Sequence, residues 1–180
     1  MRYPSGSVLE VEIKATPLTS LPEGVSLLTL DPGMVMDLWL KVKDYDRLFS
    51  DKTRGDVEAF FFSTFKKDTI LLDLPNGILT LSDIRPGLAA ECHAVFFDRK
   101  LTNKTTLVRD CILWAFFEFD LHRMSASIPA TSVALRRWMM KSLGFSYEGT
   151  MRDDFWYKGK LTSSVVLSIL RGEVLDNGKE

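Results

Sequence analysis

The sequence predicts an α/β domain with a mixed central sheet and helices on both faces. Three observations carry that prediction. Segments whose apolar residues alternate, or run unbroken for a few positions, take turns with segments whose apolar residues recur every three or four positions. No repeat, linker or low-complexity stretch breaks this order across the 180 residues, and a hydrophobic content of 46% is ample for one core. The stretch 89–124 then reads as strand, loop and helix in its most apolar form, the plan on which the other elements are arranged.

The elements follow in order. Residues 9–14 alternate, with Leu9, Val11 and Ile13 on one side and Glu10, Glu12 and Lys14 on the other, so an opening strand is expected. Pro17 and Pro22 make 16–23 a loop. A second strand covers 25–30 and is closed by the turn signal Asp31-Pro32-Gly33. Val35, Leu38, Trp39 and Val42 share one face of a helix over 34–44. The mixed charges of 44–54 read as a solvated helix end and loop. Val57, Phe60, Phe61 and Phe65 mark a helix over 56–67, with Asp56 and Glu58 at its start and Lys66 and Lys67 at its end, as the helix dipole favours. Part of the Phe60–Phe62 run is left over for a cleft or a protein contact, because one face cannot bury every ring.

Strands are expected over 69–74 and 78–83, joined by a hairpin at Pro75-Asn76-Gly77. The central strand is 89–97. The helix after it places Val108, Cys111, Ile112, Ala115 and Phe119 at helical spacing. Leu107, Leu113, Trp114, Phe116 and Phe117 make it apolar nearly all round, so Trp114 and Phe116 should be mostly buried. A strand over 124–128 should lie parallel to the central strand, reached by a right-handed crossover. A helix over 132–142 ends at Gly144, a natural left-handed cap. Strands over 155–157 and 164–170 flank a turn at Lys158-Gly159-Lys160. From Gly172 onward the chain reads as a polar tail, and the domain is taken as 1–174 with a tail of 175–180.

Composition excludes several classes. A formal net charge of −1 leaves no global field to recruit nucleic acid or an anionic membrane, and Arg136 and Arg137 beside Trp138 read as a solvated helix face. Cys92 and Cys111 read as buried reduced thiols of a cytoplasmic protein, and two cysteines without clustered histidines make no metal site. The N-terminal residues lack the apolar core of a signal peptide, and no apolar run reaches membrane-spanning length.

From Leu121-His122-Arg123-Met124, through Lys141-Ser142-Leu143-Gly144-Phe145, to Glu148-Gly149-Thr150-Met151-Arg152-Asp153, the chain resembles the GNAT-fold N-acetyltransferases. The flavour is that of the subgroup that acetylates ribosomal-protein N-termini or small amines. The resemblance covers residues 88–171, and the N-terminal half agrees in element order. It implies that the central strand splays from the strand 124–128, and that the pantetheine arm of acetyl-CoA lies in the gap beside Phe96 and Phe97. The pyrophosphate would rest on the loop of Arg99, Lys100, Leu101, Thr102, Asn103, Lys104 and Thr105, at the start of the helix. The helices of 34–67 would wall the site of an amine acceptor.

The same resemblance implies departures. The family loop has two small positions, which here hold Thr102 and Lys104, so the loop is degenerate; Lys100, Lys104 and the threonine hydroxyls remain to contact an anion. The subgroup's asparagine falls on Val133 or Ser132, and Met139 and Met140 occupy the stretch where some members carry a tyrosine acid.

Transfer to an amine needs a base. Glu91 and His93 stand two apart on the central strand and so face one side, where they either deprotonate the amine or serve as a cleft-edge carboxylate and a hydrogen-bonded core histidine. His122 reads as structural. Asp153 and Asp154 are adjacent, so on a regular strand they face opposite ways and read as solvated turn residues. Two functions of different class follow: an acyl-CoA-dependent N-acyltransferase needing no metal, or a non-catalytic GNAT-fold subunit of a larger protein assembly.

Overall fold

A computed structural model describes residues 20–28, 31–43, 56–59, 68–97 and 103–176. Among them run β1 (Ser26–Leu27), α1 (Pro32–Val42), β2 (Ile70–Leu74), β3 (Gly77–Arg85), β4 (Ala89–Phe96) and α2 (Lys104–Glu118). Then follow β5 (Arg123–Pro129), α3 (Val133–Ser142), β6 (Ser146–Tyr157), β7 (Lys160–Leu170) and α4 (Arg171–Asp176). The seven strands form one sheet in the order β1-β2-β3-β4-β5-β7-β6. Every neighbouring pair is antiparallel except β4 and β5, which are parallel and joined through α2. The expected strand 9–14 and most of the expected helix 56–67 lie outside the described residues; 57–59 are helical, with the Asp56 carboxylate accepting from the Ala59 N–H at 2.9 Å.

The period-two pattern of the strands sorts their side chains onto two faces. On one face Leu72, Leu79, Leu81, Ala90, Cys92, Met124, Ala126, Val165, Leu167 and Ile169 pack against α2 and the inner side of α3. There α2 buries Val108, Cys111, Ile112, Ala115 and Phe116, and Trp114 is also covered, at 5% exposure. On the other face Leu71 and Ile78 pack against Leu38, Trp39 and Val42 of α1. Both faces therefore carry a helix, as expected.

Local chemistry explains the ends of the elements. The Asp31-Pro32-Gly33 turn signal is the start of a helix: the Asp31 carboxylate accepts from the Met34 N–H at 3.0 Å and Pro32 occupies the first helical position. In the β2–β3 hairpin, Asn76 takes the positive φ of 60°. Gly77 is needed for another reason, since a Cβ there would stand 2.6 Å from the Val95 carbonyl oxygen. Gly144 caps α3 at φ 82°, and Lys158 and Gly159 turn the β6–β7 hairpin at φ 52° and 71°.

Two expectations are corrected. Gly172 onward is not all tail: the segment through Asp176 continues as α4, held because Val174 is buried and Glu173 accepts from the Leu170 N–H at 2.9 Å. The last strand pair is also longer than 155–157 and 164–170. β6 starts at Ser146, and its polar, exposed residues hide it from a hydrophobic pattern. Among the described residues no helix is long and apolar enough to cross a membrane.

Candidate functional site

The parallel pairing of β4 with β5 is short. It holds Ala89 against Arg123, Ala90 against Met124 and Glu91 against Ser125, and then stops, although β4 runs on to Phe96 and β5 to Pro129. Beyond that point β4 keeps β3 on its other side and β5 keeps β7, so among the described residues each has one edge without a strand partner. The wedge between them is a cleft of about 650 Å³. Its α2 side is walled by Cys92, Val108, Ile112, Leu135, Trp138 and Met139, and its opposite side by His93, Ser127, Asp154, Phe155, Tyr157 and Ser164. A cleft of this size, largely apolar and edged by backbone with no strand partner among the described residues, suits an extended ligand carrying amide groups.

The sequence-derived residues distribute unevenly over it. His93 and Glu91 face the same side, with His93 Nε2 3.5 Å from Glu91 Oε1. His93 lines the cleft and is 45% exposed; Glu91 stands at the last paired position behind it, 29% exposed. Phe96 packs on the α2-side core and Phe97 on the α1 cluster, and the cleft touches neither, since Ala94 and Val95 are its last lining residues on β4. Arg99, Lys100, Leu101 and Thr102 lie outside the described residues. Asn103 precedes α2 and makes no side-chain cap, so it does not close the first-turn N–H groups that Lys104 and Thr105 begin. The Trp138 indole donates to the Thr105 hydroxyl at 2.9 Å, which ties α3 to that turn and leaves the threonine proton to donate elsewhere. Of the two positions considered for the subgroup's asparagine, Ser132 lines the cleft and Val133 is exposed outside it. Met139 lines it as well, whereas Met140 faces away beside Arg136, Arg137 and Tyr147.

Asp154 is the clearest correction. Asp153 and Asp154 are not in a turn but inside β6, where Met151 pairs with Ser164 and Phe155 with Thr162. Three residues of β6 thus stand against Ser163 alone. Asp153 takes φ 51° and its N–H donates to the Ser163 hydroxyl at 3.3 Å. This bulge breaks the alternation and aims Asp154 at the buried Ser164, whose hydroxyl donates to its Oδ2. A second irregularity, at Tyr147–Gly149, brings Glu148 onto Ser168, which donates to it, and within 3.3 Å of Arg123. An aspartate tolerates the positive φ that Asp153 adopts, but the shift in register is decided by the partner strand.

The cysteines are buried and free. Burial pushes the Cys92 thiol up to about 12, helped by the Glu91 carboxylate next to it, and pushes Cys111 up to about 12, helped by Asp110. Although Cys92 borders the cleft, it is an apolar wall and no nucleophile. His122 is structural through its backbone: its N–H donates to Leu88 and its carbonyl accepts from Arg171.

No family model matches this sequence, and no curated protein matches it significantly. Solved structures do. Spermidine N-acetyltransferase from Vibrio cholerae, in complex with CoA and spermine, superposes with a TM-score of 0.67 at 14% identity, covering 86% of this chain and 99% of that one. A chimera of that enzyme, SpeG, with hSSAT gives 0.66 at 14% identity over 85% and 99%. A mutant form of SpeG gives 0.68 at 13% identity over 88% and 100%. The fold is the GNAT fold. At these identities the likeness concerns the fold and not the chemistry.

Proposed function

We propose that the protein transfers an acetyl group from acetyl-CoA to an amine. The observation that carries this reading is the parting of β4 from β5 after Glu91 and Ser125, which opens the cleft between two strand edges that no described strand covers. The fold neighbours support it, one being an N-acetyltransferase in complex with CoA and spermine. They lend the non-catalytic alternative no support.

Acetyl-CoA supplies the acetyl group as a thioester, whose carbon–sulfur bond breaks as a carbon–nitrogen bond to the amine forms. This chain's residues bind, orient and move a proton. The free edges of β4 and β5 offer backbone N–H and C=O groups to the amides of the pantetheine arm. The α2 first turn, with Lys104, Thr105 and the neighbouring Arg99, Lys100, Leu101, Thr102 and Asn103, is the proposed seat of the pyrophosphate, drawn by N–H groups and the positive end of the helix dipole. His93 is the proposed base. With its Nε2 toward Glu91, its Nδ1 is left to take the proton that the amine loses, and the Glu91 carboxylate then stabilises the imidazolium.

Calorimetry with acetyl-CoA, followed by turnover assays, tests this. The folded protein should bind acetyl-CoA. His93→Ala should lower kcat about 100-fold or more, and Glu91→Gln about tenfold, with acetyl-CoA binding changed less than about twofold in both. No heat at millimolar ligand, at two temperatures and with folding verified, would overturn the proposal.

A further inference from the structure

Among the described residues lining the cleft, Asp154 is the sole carboxylate. Its placement takes an unusual backbone: three residues against one, with a non-glycine residue, Asp153, at positive φ. The Ser164 hydroxyl, on a residue only 2% exposed, fixes one carboxylate oxygen, and Oδ1 has no hydrogen-bond partner among the described residues. The other charge on that wall is Lys158, whose ammonium lies over the Tyr157 ring, 5.5 Å from its centre. Phe155 and Tyr157 flank Asp154 with aromatic surface.

A carboxylate stabilises an ammonium, whereas the reacting nitrogen must lose its proton before it can attack. Asp154 and His93 must therefore serve different nitrogens. They are also well apart: His93 is on β4, Ser164 on β7, and β5 lies between, so about 10 Å or more separates the two strands. Resting on the transferase reading above, we propose that Asp154 is a specificity-determining residue. It anchors a second cationic centre of the acceptor, so that the protein selects flexible amines carrying two positive charges over monoamines of equal length.

The test is direct binding of 1,4-diaminobutane and butylamine by calorimetry, with and without CoA. The unmodified protein should bind the diamine about tenfold more tightly. Asp154→Asn should abolish that preference, chiefly by weakening the diamine, and Ser164→Ala should reduce it by a smaller factor. Glu148→Gln, which alters a carboxylate on the same face but outside the cleft, should leave it intact. Asp154 is exposed, so its variant should melt with the unmodified protein. Equal binding of the two amines, or a preference that survives Asp154→Asn, overturns the proposal. Because this readout needs no turnover, a diamine held through Asp154 but never acetylated would sink the transferase reading and leave the anchor standing.

Discussion

The two faces of β7 are built in contrasting ways. Val165, Leu167 and Ile169 enter the core beneath α2, where each touches apolar neighbours from several elements and none needs a particular partner. One residue out of phase, Ser164 and Ser168 are almost as buried, and each is satisfied by one carboxylate of β6, Asp154 and Glu148. The apolar face is redundant, so its cost on mutation is volume and its contribution is stability. The polar face depends on single pairs that two irregularities in β6 bring into place, and its carboxylates reach open space at one end. A buried polar face that relies on single pairs adds less to holding the sheet together than the apolar face does.

The largest effect should come from the apolar face. Phe116 is fully buried, and Phe116→Ala should cost about 3–5 kcal/mol in urea unfolding. A cost under about 1 kcal/mol would end the claim that α2 carries the core. Next is Arg171, the polar tie on the α2 side. It donates to the Leu121 carbonyl at 2.7 Å, to the Phe116 carbonyl at 3.0 Å and to Asp120 at 2.7 Å, closing the end of α2. Arg171→Ala should cost about 1.5–3 kcal/mol, and Arg171→Lys should recover only part, because an ammonium lacks the planar fork. The polar face should be cheaper: Ser164→Ala should cost less than about 1 kcal/mol, since the exposed Asp154 can be hydrated instead. If Ser164→Ala proved as costly as Phe116→Ala, the contrast between the faces would collapse.

The last effect is invisible at neutral pH. Cys92 and Cys111 hold their protons to about 12 in the folded chain, against an ordinary 9.0. Above pH 9 the unfolded chain sheds those protons while the folded one keeps them, so stability should fall as pH rises through that window. Melting temperatures from pH 8 to 10.5 should decline less steeply in Cys111→Ala than in the unmodified protein. At pH 8 neither thiol should react with an alkylating agent until the chain unfolds.

Periodicity by itself determined the apolar half of this protein. Alternation in β3 and β5, helical spacing in α1 and α2, and the turn chemistry of Asn76, Gly144 and Lys158-Gly159 are local signals, and each survives into the fold because local preference and burial agree there. The shared side of Glu91 and His93 was legible too, since two residues on one strand face the same way whatever the partner. What only the tertiary structure decided is where pairing stops and where register slips. The β4–β5 ladder ends after Glu91 and leaves a cleft lined by His93, Ala94 and Val95, and nothing in those residues' own pattern marks that end. Asp154 reaches the cleft because three residues of β6 stand against one of β7, and Trp138 does so because α3 packs over the start of α2. Both depend on a partner in another element, next in the hairpin for Asp154 and 33 residues away for Trp138, and the periodicity of a single segment carries no record of what lies opposite it.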